Sequence, residues 1–255
     1  MYLQLGQATA RALTRVQNSR VAPFSAICRL VTRSYANTME SVGTGFLIGR
    51  YHVLTCAHVI YPLDNPKTGK VTVFPSQNGP DDYWPSVQAN GWAVSPGWRG
   101  KDCRTFGEDL GIIRLAQPVD TGFLALAAFD PATLTGAAAQ LAGYPGDRRR
   151  GARNMHRSRG RIDGAIHVRS CTRDSTSGVT LPAIQQTTAL IAHDLDTQPA
   201  QSGAPLWIEQ EGRTVVVAVH SGAVDGGPKM AVLLSASVRR RVADWMTRAL
   251  PPLRK

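Results

Sequence analysis

Acidic residues are missing from the start of this chain. None precedes Glu40, whereas Arg11, Arg15, Arg20, Arg29 and Arg33 all do. Over the 255 residues, 29 Lys and Arg stand against 18 Asp and Glu, a net charge of +11 that raises the question of an acidic partner. The first 20 residues also lack the compact apolar stretch of a secretory signal. Residues 1–21 therefore read as a basic tail or pro-segment, and the missing signal favours a cytoplasmic location over a secreted one. No run approaches the roughly 18 apolar residues that a membrane-spanning helix needs. The four cysteines, Cys28, Cys56, Cys103 and Cys171, are too few for a disulfide scaffold. They also lack the paired C-x-x-C spacing of a zinc site, so free thiols and no metal are expected. No internal repeat is visible.

What is present is a series of short β-rich runs separated by Gly, Pro and Asp/Asn turns. They include Ala26–Val31, Gly45–Ile48, His52–Thr55, Lys70–Phe74, Leu110–Leu115, Ala139–Gly143, Ala165–Val168, Ala183–Thr187, Pro205–Ile208, Val215–His220 and Ala231–Ser235. Many short strands at such intervals predict an all-β sandwich or barrel. One segment reads as a helix, from Ser237 to Leu250, with Val238, Val242, Trp245, Met246 and Ala249 on one face and Pro251-Pro252 as its stop.

Three local patterns carry chemistry. Thr55-Cys56-Ala57-His58 places a histidine just after a β-rich run, and Glu108-Asp109-Leu110-Gly111 places an acid just before a buried-looking one. Asp196-Thr197-Gln198-Pro199-Ala200-Gln201-Ser202-Gly203-Ala204-Pro205 sets a serine in a tight turn. A serine hydroxyl is a poor nucleophile at neutral pH. It needs an imidazole to take its proton, a carboxylate to orient the imidazole and backbone donors for the developing oxyanion. The chain order His58, Asp109, Ser202 separates this set from the orders found in subtilisins and α/β-hydrolases. His52, His156, His167 and His193 read as structural.

From Ala22 to the C-terminal helix the chain resembles the trypsin-like serine proteases, and among them the bacterial glutamyl endopeptidases of the V8 type. The resemblance is carried by Pro23-Phe24-Ser25-Ala26-Ile27, Gly43-Thr44-Gly45-Phe46-Leu47-Ile48-Gly49 and Ser95-Pro96-Gly97-Trp98. Gly143-Tyr144-Pro145-Gly146-Asp147, Asp196-Thr197, Gln201-Ser202-Gly203-Ala204-Pro205 and Ala218-Val219-His220 complete it. It implies an all-β double β-barrel of the chymotrypsin/trypsin type, with residues 22–125 as first barrel and 126–236 as second. A helix and tail over 237–255 would dock on the second barrel. It further implies His58 as general base, Asp109 as its orienting acid, Ser202 as nucleophile, and the amides of Ala200 and Ser202 as oxyanion donors. Ala200 stands where the family normally has glycine. No cofactor is implied.

For the specificity pocket the resemblance points to Thr197 and His220 as binders of an acidic P1 side chain, with Ser221 on the edge that pairs with substrate backbone. Asp196, six residues before Ser202, supports the competing preference for Lys or Arg. An acidic P1 requires Asp196 to be turned away or paired, since a buried carboxylate facing a substrate carboxylate is costly. The basic stretch Arg148–Arg161 is expected as a solvated loop, with steering of acidic protein or peptide substrates toward the cleft, and then a grip on nucleic acid, as the other readings. It lacks the interleaved aromatics of a nucleic-acid surface. A catalytically silent fold acting as a basic binding module is the alternative from another class. A monomer is expected.

Overall fold

The structure, a computed structural model, describes residues 13–34, 40–61, 68–80, 84–100, 103–146, 153–166, 190–223 and 228–251. A short strand β1 (Thr14–Arg15) leads into six strands that close on themselves. These are β2 (Ile27–Ser34), β3 (Glu40–Gly49), β4 (His52–Thr55), β5 (Thr68–Pro75), β6 (Val87–Val94) and β7 (Gly111–Leu115), joined in the order β2-β3-β4-β7-β6-β5. After a two-residue strand β8 (Ala125–Leu126) come β9 (Ala138–Gly143), β10 (His156–Ala165), β11 (Leu190–His193), β12 (Pro205–Gln210), β13 (Arg213–Ala223) and β14 (Lys229–Leu233). Because β9 pairs with both β10 and β12, these six also form a closed antiparallel ring. Closure leaves neither ring with a free edge. The expected double barrel is what the chain forms.

The first barrel is filled by Leu30, Phe46, Leu54, Val71, Val73, Ile112 and Ile113, all fully buried. The second is filled by Leu141, Ile162, Ile191, Leu206, Val217 and Leu233. Burying each such side chain stabilises the fold by about 1.5–3 kcal/mol. Tyr144 and Trp207 join the two barrels: the Tyr144 hydroxyl donates to the Ile27 carbonyl at 3.3 Å, and Phe24 meets Trp207 edge to face at 6.2 Å. The geometry of the cleft depends on this seam, since the site draws on both sides of it.

Three features differ from expectation. Residues 13–19, inside the stretch read as a tail, are folded onto the body: Leu13, Val16 and Ser19 are buried, and β1 pairs with β10. Their period of three hides them from a search for alternating strands. The basic stretch, read as a loop, is strand from His156 onward, and residues 147–152 lie outside the described ones. Its inward residues are His156, Ser158 and Ile162, while Arg159 and Arg161 point out. Arg157 is half-buried against the Phe24 ring. The alternation is real, but its inner face is mostly polar and so does not look like a strand.

The third difference concerns the C-terminal helix. After two single-turn helices, α1 (Ala57–Ile60) and α2 (Pro131–Leu134), the segment forms α3 (Ala236–Thr247), started by the Ser235 hydroxyl accepting from Val238 N. It lies against the first barrel rather than docking only on the second. Trp92 N donates to Pro251 O at 3.1 Å, Met246 packs beside Gly49, and Arg241 forms an ion pair with Glu108 at 2.6 Å. The apolar face of Val238, Val242 and Trp245 is covered by the same core cluster that contains Leu47 and Ile113. The helix is thus a strap from the end of barrel two back to the acid-bearing loop of barrel one.

Candidate active site between the barrels

His58 sits in a single helical turn, α1 (Ala57–Ile60), that β4 feeds directly. Asp109 follows a 3₁₀ segment, Cys103–Glu108, and only Leu110 separates it from β7. Since β4 and β7 are hydrogen-bonded neighbours, with Thr55 opposite Gly111, the two side chains are brought together by strand register alone. His58 Nδ1 and Asp109 Oδ2 are 2.7 Å apart, and the His58 amide donates to Asp109 Oδ1 at 3.0 Å. The Ser221 hydroxyl gives Asp109 a third donor at 2.6 Å.

These contacts set the charge state of the pair. Burial alone pushes the Asp109 carboxyl up, but the His58 ring, its amide and the Ser221 hydroxyl outweigh burial and hold it below its usual 3.8. For His58 burial acts downward, and the Asp109 charge and hydrogen bond more than reverse it, leaving the imidazole above its usual 6.5. Asp109 is therefore an anion at neutral pH. Its two bonds to the His58 backbone and ring fix the imidazole tautomer with the proton on Nδ1, which leaves Nε2 as acceptor.

The Ser202 loop is clamped from both barrels. Thr44 N, on β3, donates to Ser202 O at 2.9 Å, and Gly203 N donates to His220 O, on β13, at 2.7 Å. Gly203 has φ 88°, and a Cβ there would fall inside the Thr44 carbonyl and the Thr55 hydroxyl. Only glycine fits this turn. Ser221 then bridges acid and serine, because its hydroxyl binds Asp109 while its carbonyl accepts from Ser202 Oγ at 3.0 Å.

Ala200 adopts φ 70°, the left-handed conformation that favours glycine. That backbone costs an L-residue about 1–2 kcal/mol. It is held by Gly146 N donating to Pro199 O at 2.8 Å and by the Thr44 hydroxyl donating to Ala200 O at 3.1 Å. Because a trans peptide points its C=O and N–H in opposite directions, tying Pro199 O to Gly146 turns the Ala200 N–H away from that side. Among the described residues neither Ala200 N nor Ser202 N has an acceptor.

The other candidates lie on the flanking strands. His220 is buried on β13, and its Nδ1 lies 3.1 Å from Nε2 of His193 on β11. Burial and then Lys229 push the His193 imidazole down to about 3, and burial and then His193 push His220 well below 6.5, so both are neutral at pH 7. Asp196 is engaged: Oδ2 accepts from Leu13 N at 3.3 Å and Oδ1 lies 3.8 Å from Lys229 Nζ. Thr197 is half-buried. His193, read from sequence as structural, joins the site through His220. Lys229 and the bridging role of Ser221 had no local signal.

Among the described residues, Cys56, His58 and Asp109 offer metal-ligand atoms within 4.8 Å of one another. The Cys56 thiol donates to His220 O at 3.1 Å and is pushed well up by burial and then by Asp109. Metal coordination demands the thiolate, which this environment disfavours. Cys28 and Cys56 are free and buried, and the remaining two cysteines lie outside what is described of side chains.

Comparison with known proteins gives the family and the fold. Residues 43–219 match the family model of the trypsin-like peptidase domain. A glutamyl endopeptidase of Bacillus licheniformis is 29% identical over 224 residues, covering 84% of this chain; the chain spans 60% of that relative's length. Among solved structures, a Glu endopeptidase in complex with MPD superposes with a TM-score of 0.72 at 20% identity, covering 92% of this chain and 97% of that one. The active form of the Rv3671c protease from M. tuberculosis gives 0.61 at 22% identity, covering 89% and 83%. At these identities the structural matches speak for the fold.

Proposed function

The chain belongs to the trypsin-like peptidase domain family, and from that premise we propose that it is a serine endopeptidase that prefers glutamate at P1. The observation that carries the catalytic reading is the hydrogen-bonded His58–Asp109 pair joined through Ser221 to the Ser202 loop. In this mechanism the Ser202 hydroxyl turns about χ1 from the Ser221 carbonyl to His58 Nε2 and gives up its proton there as Oγ attacks the scissile carbonyl. The Ala200 and Ser202 amides, which lack other acceptors among the described residues, receive the oxyanion. His58 then protonates the leaving amine. Water, deprotonated by the same imidazole, releases the acyl group from Ser202 and restores the enzyme. Asp109 stays ionised throughout and stabilises the imidazolium.

Support for acidic P1 comes from the state of Asp196. A carboxylate that recruits Lys or Arg must be available to them, whereas this one is shared between Leu13 N and Lys229. His220 and Thr197 then supply donors to a substrate carboxylate, and His193 orients His220 from behind. The reading is tested with a fluorophosphonate probe. Stoichiometric labelling of Ser202 that is lost in His58→Ala supports it, and an unlabelled Ser202 in the folded chain refutes it.

A further inference from the structure

His220, whose carbonyl holds Gly203 N beside Ser202, and His193 behind it are neutral, and a carboxylate, Asp196, stands three residues after His193. Lys229 is the cation at the same place. It opens β14, where it stands opposite His193 of β11 on one side and Ala223 of β13 on the other. It therefore lies between the two strands that carry the flanking histidines. Its Nζ donates to Leu195 O at 2.6 Å and lies 3.8 Å from Asp196 Oδ1. An ammonium has three donors, so the bond to Leu195 anchors the charge without consuming it. Side-chain exposures of 29% for Lys229 and 33% for Asp196 leave both within reach of a side chain entering from solvent.

We propose that Lys229 is a specificity-determining residue: its ammonium, anchored on Leu195, cancels the Asp196 carboxylate and so admits an acidic P1 side chain where a basic one would otherwise be drawn. The proposal rests on the peptidase reading above. Specificity is a difference between two affinities, and a single charge in the pocket acts on both with opposite sign. Without Lys229, Asp196 repels a glutamate and attracts a lysine. Without either charge, the pocket returns to the selection made by neutral donors.

The test measures kcat/KM on two peptides that differ only in Glu or Lys at P1. Lys229→Met is expected to lower the Glu-to-Lys ratio at least tenfold, and Asp196→Asn to hold or raise it. Lys229→Met with Asp196→Asn together are expected to return the ratio to within about threefold of the parent chain, because paired charges are not additive. An unchanged ratio in Lys229→Met, with an unchanged melting temperature, overturns the proposal. A second readout needs no turnover. In Ser202→Ala, fluorescence anisotropy of labelled peptides ending in Glu or Lys reports pocket preference directly. Lys229→Met in that background must move the preference toward Lys, and the same preference, or no preference, in both chains overturns the role of Lys229. A shifted preference in a chain whose parent cuts nothing removes the peptidase reading and leaves Lys229 as the selector of the pocket.

Discussion

Replacing Asp109 by Asn changes one atom and removes a charge that three hydrogen bonds converge on. The carboxylate is 1% exposed and accepts from the His58 amide, the His58 ring and the Ser221 hydroxyl at 3.0, 2.7 and 2.6 Å. An asparagine keeps one oxygen, so its NH₂ stands either in the place of Oδ1, against the His58 amide, or in the place of Oδ2, against both the ring and the Ser221 hydroxyl. Facing the ring, it selects the tautomer with the proton on Nε2, which cannot accept from Ser202. The general behaviour of such triads gives a loss of about 10⁴ in kcat, near 5.5 kcal/mol in the barrier.

The pH profile carries a second signature of the same change. In the parent chain the acid limb of kcat/KM should fall above pH 6.5, because Asp109 holds the His58 imidazole above its usual value against the effect of burial. In Asp109→Asn burial remains and the opposing charge is gone, so the limb should move below 6.5. The stability signs follow from linkage. A raised His58 contributes stability that is full below 6.5 and is lost as pH rises through its folded value. A lowered Asp109 contributes stability that is present above 3.8 and is lost as pH falls through its folded value. The parent should thus exceed the variant in melting temperature most between about pH 4 and 6.5. Fluorogenic-peptide assays from pH 4 to 9 with parallel thermal melts measure both. Activity within tenfold of the parent, with the acid limb unmoved, refutes the assigned role of Asp109.

Two further variants test what holds the machinery in place. Thr44→Val removes the hydroxyl that donates to Ala200 O and accepts from Tyr144 N at 3.0 Å; it leaves two backbone groups unpaired, should cost about 2–4 kcal/mol in denaturant melts, and should lower kcat more than it raises KM. Arg241→Ala breaks the contacts from α3 to Glu108 and to the Ser95 hydroxyl, at 2.6 and 2.8 Å, next to Asp109. A kcat reduced several-fold at constant KM, partly restored in Arg241→Lys, is expected from peptide kinetics, and a kcat equal to the parent's refutes the strap.

The sequence is most legible where chemistry and local structure coincide. His58, Asp109 and Ser202 each stand in a short pattern at a strand end, and a strand end can be read from a few neighbouring residues. Residues whose partners are remote could not be read in this way. Lys229 meets Leu195 from 34 positions away, Ser221 meets Asp109 from 112, and Arg241 meets Glu108 from 133. Nothing in a local window encodes such meetings, which arise from barrel closure and from the return of α3 to the first barrel. Strand β10 was hidden for another reason. Hydropathy alternation fails when the first inward positions are His156 and Ser158 and a glycine stands before Ile162, and the outward arginines then read as loop. At Ala200 the sequence marked the departure from glycine, and the left-handed backbone there shows that the loop keeps a glycine conformation with alanine in place.

The most direct measurement is a peptide-library digest by the folded chain, read by mass spectrometry beside Ser202→Ala. Cleavage concentrated after Glu in the parent and absent from Ser202→Ala is the expected result. Cuts only after Lys or Arg would contradict the acidic pocket, and cuts that persist in Ser202→Ala, or no cuts at all, would contradict the central claim that Ser202 is the nucleophile.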